Sequence, residues 1–173
     1  MKFFAFIGVL AVLAIIAGAV YFFGGFYDVA AAQPDSKAVE WLIGRVREAS
    51  IERRAPTATP SNLEDPATIQ AGARAFDRRG CVACHGAPGV DWAKFSEGMK
   101  PDPVDLKEVA KGMPAGEIFW VIKNGIGMTG MPSFARIKVQ DPEIWAITAF
   151  VKKFPSVSPE DYKTWTKASA SAH

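Results

Sequence analysis

The sequence predicts an all-α protein with one membrane-spanning helix at its N-terminus, and three observations carry that expectation. The run from Phe3 to Tyr27 holds no charged side chain. Two Asp-Pro pairs, Asp65-Pro66 and Asp141-Pro142, open stretches whose apolar residues recur at helical spacing. No stretch alternates apolar and polar residues as a half-buried strand does. At 173 residues the chain has room for one domain and flanking segments. Its 20 Lys and Arg against 18 Asp and Glu leave a net charge of +2, far from the basic field of a nucleic-acid-binding surface.

Phe3 to Phe23 is almost wholly apolar and reaches about 30 Å as a helix, enough to cross a bilayer. Tyr21, Phe22, Phe23, Phe26 and Tyr27 would then form an aromatic collar at the outer interface. A cleavable signal peptide competes with this reading, because Ala30-Ala31-Ala32 satisfies a cleavage pattern. The apolar run is too long for a signal h-region and only Lys2 precedes it, so residues 1–27 are expected to stay as an anchor.

Residues 28–64 form a juxtamembrane segment. Between Ser36 and Arg54, Val39, Leu42, Ile43, Val46 and Ser50 follow helical spacing, with Glu40, Arg45, Arg47 and Glu48 turned away. Such a helix has three places to lie: on the following domain, on a partner subunit, or, led by Trp41, on the membrane surface. Arg54 to Leu63, with Pro56 and Pro60, is a semi-extended linker.

The domain proper is expected over residues 65–155. A helix capped at Asp65 runs to about Arg79 and delivers the chain into Cys81-Val82-Ala83-Cys84-His85. Two cysteines three apart, with a histidine directly after the second, are the attachment signature of c-type haem. Each thiol adds to one vinyl group, and the adjacent imidazole becomes the proximal iron ligand. Zinc fits worse, since it needs four donors or three and a water, and the only other histidine is the terminal His173. A thioredoxin-like pair would want a βαβ surround, which is missing.

Residues 87–113 are rich in Gly and Pro, with a short helix at Leu106 to Lys111. A firmer helix spans Ala115 to Asn124, stopped by Gly125, and its Trp120 reads as a packed core aromatic. The helix opened at Asp141-Pro142 reaches about Phe154 and carries Ile144, Ile147, Phe150 and Val151 at core spacing. Residues 156–173 form a tail, in which Ser158-Pro159-Glu160-Asp161 starts one last turn and Lys167 to His173 frays. With His173 implausible as a second axial ligand, a methionine is the candidate. Gly125 to Phe134 is a Gly-rich loop that offers Met128 and Met131, while Met99 and Met113 read as core fillers.

The order Cys-x-x-Cys-His, a helix ending at Lys123-Asn124-Gly125-Ile126, Thr129-Gly130-Met131-Pro132 and a terminal amphipathic helix resembles the class I monohaem cytochromes c. The similarity is greatest to the cytochrome c domains of cbb3-type oxidase subunits and of membrane-anchored proteobacterial cytochromes. That resemblance implies a small fold of three to five helices around one covalently bound haem. It makes Met131 the distal ligand, with Met128 the runner-up, and packs Gly72 and Phe76 of the first helix against Phe150 of the last. It also implies a Pro two residues before a Leu, whose carbonyl accepts the Nδ1 proton of the proximal histidine. Here Val104 stands two before Leu106 and Pro103 three before, which leaves the acceptor for His85 open, with Pro103 and Pro101 as candidates.

The expected cofactor is therefore one haem c bound by Cys81 and Cys84, with His85 and Met131 on its iron. The expected function is periplasmic electron transfer by a carrier held in the inner membrane. Its partners would be a quinol-oxidising complex and a terminal oxidase or another reductase. The alternative is an electron-entry subunit of a larger membrane oxidoreductase, with Val39–Val46 as its docking face. A gas sensor or haem catalyst is disfavoured, because the sequence has no second haem motif and no distal histidine.

Overall fold

A computed structural model describes residues 2–170, with side chains as far as Lys167; Met1 and His173 lie outside the described residues. The described elements are all helical, and a single isolated bridge, Ala87 with Val90, is the nearest approach to a strand. By its contacts the chain divides into residues 1–35 and residues 36–173.

The first unit is built on α1, Lys2–Phe23, whose 22 residues bury nothing and are long and apolar enough to cross a membrane. The helix stops where Gly24 bonds back to the Val20 carbonyl. Tyr21, Phe22 and Tyr27 then cluster with ring centroids 5.3–6.3 Å apart, and the Tyr27 hydroxyl donates to Asp35.

The second unit holds α2 (Lys37–Arg54), α3 (Pro66–Arg78), α4 (Cys81–His85), α5 (Leu106–Gly112), α6 (Ala115–Asn124), α7 (Asp141–Lys153) and α8 (Pro159–Ala170). Its centre is the crossing of α3 and α7. Asp65 caps α3 through the Ala67 amide, and Ile69, Ala73 and Phe76 line its inner face. Gly72 lets the two backbones touch, since a Cβ there would collide with the Ala146 carbonyl and meet the Phe150 Cβ at 3.0 Å. Phe76 and Phe150 pack edge to face with centroids 5.2 Å apart, so the Gly72–Phe76–Phe150 contact expected from the resemblance is present. Charged side chains fasten the rim. Arg79, just past the end of α3, grips Glu143 of α7 with two bonds of 2.9 and 3.0 Å, and Lys152 of α7 donates to the Ala110 and Met113 carbonyls at the end of α5.

The Arg79 hydrogen bond holds the Glu143 carboxyl below its usual value. A depressed carboxyl stabilises the fold above the ordinary carboxylate range and loses that contribution as pH falls through the folded value. Replacing Glu143 by Gln should therefore cost about 1 kcal/mol near pH 7, the upper end for a partly exposed pair. The gap between wild type and variant should close in denaturant melts as pH falls through the depressed folded value, where the wild-type carboxyl also becomes neutral.

Four expectations are corrected here. Asp141 does not cap α7. Gln140 holds the cap position without a side-chain bond, and Asp141 instead pairs with Lys123 of α6 at 2.7 Å. The last turn is a full helix, α8, started by Ser158, whose hydroxyl accepts from the Asp161 amide at 3.0 Å. Tyr162 of α8 is buried against Phe150, and its hydroxyl donates to Asp77 of α3 at 3.2 Å, so residues 159–170 are helix rather than frayed tail. Trp120 is only half-buried and lies outside the core cluster, where Phe119 stacks on Trp145 with centroids 4.0 Å apart. Finally, α2 uses a face the apolar pattern did not single out. Ile51 is its buried residue, Gly44 and Arg47 on the same side are half-buried, and a Cβ on Gly116 of α6 would strike the Pro56 carbonyl just after α2. Trp41, Leu42, Ile43 and Val46 are left exposed.

Candidate haem site

The haem motif forms α4, a turn and a half that follows the αL residue Gly80 and ends at Gly86. Gly86 has φ 64° and its missing Cβ would lie 2.9 Å from the Val90 carbonyl, so the chain can turn back at once only with glycine there. The turn is closed by reciprocal bonds between Ala87 and Val90 and by the Ala93 amide on the Ala83 carbonyl at 2.9 Å. Cys81 and Cys84 are both half-buried and unbridged. Burial pushes the Cys81 thiol up to about 12, so it is a neutral group at the edge of the apolar core.

His85 is half-buried, and its Nδ1 lies 3.1 Å from the Val104 carbonyl. A carbonyl only accepts, so Nδ1 carries the proton and the Nε2 lone pair is free. Desolvation holds His85 below the usual histidine value, which keeps the ring neutral at pH 7. This decides the acceptor that the sequence left open, and it is neither Pro103 nor Pro101. The backbone carbonyl two residues before the buried Leu106 does it, with Val in place of Pro. Its place is set by the start of α5, where Asp105 accepts from the Lys107 amide at 2.8 Å and Leu106 is buried. The Val104 side chain points to solvent, so its identity is unconstrained there.

The methionine loop hangs from the end of α6. Phe134 and Ala135 amides and the Ser133 hydroxyl take up the Ile122 and Lys123 carbonyls that α6 leaves open. Residues 131–133 pass directly over Gly125, where a Cβ would sit 2.7 Å from the Pro132 carbonyl carbon and 2.8 Å from the Met131 oxygen; its φ of 68° also calls for glycine. Met131 packs against the same apolar cluster that Cys81 and Val82 border, whereas Met128 is fully exposed at φ 60°. Met113 also packs on that cluster, and Met99 lies against Gly130.

Residues 67–151 match the family described as cytochrome C oxidase, cbb3-type, subunit III. They form a cbb3-type cytochrome c domain. No curated protein and no solved structure matches the chain.

A domain of this family binds c-type haem and serves electron transfer. The residues present in the cytochrome domain fit that group. Two unbridged thiols, a neutral imidazole with one nitrogen committed to Val104, and a half-buried thioether make up a donor set suited to a covalently held porphyrin. Among the described residues no three His, Cys, Asp or Glu side chains gather into a chelating cluster, as zinc would require. Phe76, Ile122, Phe134 and Phe150 all belong to the buried cluster. What sequence reasoning missed was Val104, because a backbone acceptor leaves no trace in residue type.

Proposed function

We propose that the chain is a membrane-anchored monohaem cytochrome c that passes single electrons between respiratory partners on the periplasmic side. In this reading Cys81 and Cys84 would hold the haem covalently, and His85 and Met131 would be the ligands of its iron. The supporting observation is the one apolar cluster bordered both by the haem motif, through Cys81 and Val82, and by the methionine loop, through Met131.

When bound, the haem iron supplies a one-electron couple. The protein's part is to tune and hold it. Val104 fixes the imidazole plane and raises its basicity by accepting the Nδ1 proton. The neutral thioether of Met131 favours the reduced state, and the dry surround of Phe76, Phe134 and Phe150 disfavours net charge on the oxidised site. With His85 and Met131 both given to the iron in this reading, the site would relay electrons rather than bind a substrate. Val90, Trp92 and Phe95 are exposed on the loop that the Ala93 amide fastens to the motif, and they offer an apolar rim for weak docking. Lys94 and Lys123 are tied up with Glu97 and Asp141, so charge steering is a minor contribution. In this reading α1 anchors the chain and the cytochrome domain lies on the outer side, where covalent haem attachment takes place.

A second reading, a subunit of a larger oxidoreductase, is favoured by α2. That helix seats itself through Ile51 yet leaves Trp41 and Val46 67% and 62% exposed beside Leu42 and Ile43. Purification from membranes in mild detergent separates the two. A free carrier is expected to emerge alone, with haem staining at its own mass on a denaturing gel; a stoichiometric complex would favour the subunit. Absence of covalent haem would overturn both.

A further inference from the structure

The loop that carries Met131 is closed by backbone bonds and by one side chain, Thr129. The Thr129 hydroxyl donates to the Ile126 carbonyl at 2.8 Å and accepts from the Met131 amide at 3.1 Å. The Met131 carbonyl in turn accepts from the Ile126 amide at 3.2 Å. Both peptide groups of Met131 are thus tied to Ile126, one directly and one through the hydroxyl. Ile126 itself follows Gly125 at the capped end of α6, so the tie runs back to a rigid element. On the outer side of the loop, Met99 fills the space beside Gly130, where a Cβ would overlap its terminal methyl. The neighbouring Met128 makes no such bonds and is fully exposed.

A loop of Gly127, Met128, Thr129 and Gly130 has no regular ladder of its own. Without the hydroxyl, the Met131 amide loses its partner and the Ile126 carbonyl keeps only the longer bond from the Thr129 amide at 3.3 Å, so the loop is held less tightly and the thioether gains freedom to swing away. We propose that Thr129 is a positioning residue for the axial thioether: its hydroxyl sets how often the Met131 side chain leaves the iron. This rests on the reading of Met131 as distal ligand.

The test uses full-length, detergent-solubilised holoprotein. Thr129→Val keeps the shape and removes the hydroxyl, Thr129→Ser keeps the hydroxyl, and Thr129→Ala is a smaller substitute should valine fit poorly. The readouts are the near-infrared charge-transfer band of the ferric form, the rate of carbon monoxide binding to the ferrous form, and the thermal midpoint. One hydroxyl makes two of the hydrogen bonds that hold the loop, so Thr129→Val should keep the band but bind carbon monoxide about tenfold faster. Thr129→Ser should return to the wild-type rate. A wild-type rate in both Thr129→Val and Thr129→Ala, with the band intact, would overturn the proposal, as would a serine variant that behaves like valine. A wild type that lacks the band and binds carbon monoxide freely would overturn the ligand assignment, and the proposal with it.

Discussion

Met131→Ala is expected to abolish the near-infrared charge-transfer band of the ferric protein and to let the ferrous protein bind carbon monoxide to saturation. The band reports sulfur on iron, and an alanine leaves that position with no protein donor. Met128→Ala should leave both readouts unchanged, because Met128 is fully exposed and lies outside the apolar cluster that Met131 joins. The covalent links through Cys81 and Cys84 do not depend on the distal ligand, so the variant should still stain for haem on a denaturing gel. Loss of a half-buried thioether should also cost about 2 kcal/mol in stability, the low end for truncating a core methionine. If Met128→Ala rather than Met131→Ala removes the band, the assignment is wrong.

Gly72→Val is expected to destabilise the cytochrome domain by about 3 kcal/mol or more, and Gly72→Ala by about 2 kcal/mol. The alanine variant is the sharper test, because two effects oppose each other. Helix propensity alone favours Ala over Gly by about 1 kcal/mol in a helix interior. The Cβ at this position, however, runs into the Ala146 carbonyl and crowds the Phe150 Cβ. The obstacle is backbone on the facing helix, which no rotamer change relieves, so overpacking outweighs propensity. Thermal or denaturant melts of the two variants decide it. A Gly72→Ala protein as stable as wild type would show that α3 and α7 do not approach this closely.

Much of this protein was legible before any coordinates. Helices with strong signals emerged close to their expected bounds: α6 at Ala115–Asn124 and α3 within a residue of Asp65 and Arg79. These are segments where cap residues, a stop glycine and a clear apolar face agree. Where the signals were thin, the reading fell short. In α8 the packed side chains are chiefly Tyr162 and Trp165 on an otherwise polar helix, so its pattern reads as tail until the Phe150 face it covers is known. The Asp141 error has the same origin. An Asp before a Pro reads as a cap, but the carboxylate found a better partner in Lys123 across the chain.

The sequence by itself determined the all-helical class, the long apolar helix, the haem-attachment motif and the two-methionine loop, because each is written in residue types at fixed local spacing. Only the tertiary structure decided that Val104 accepts from His85, that α2 packs through Ile51 and leaves its more apolar stripe open, and that Met131 joins the core while Met128 faces solvent. The physical reason is that these are encounters between groups distant along the chain or between backbone atoms. Backbone carbonyls are chemically identical at every residue, and burial is a property of what covers a side chain rather than of the side chain itself.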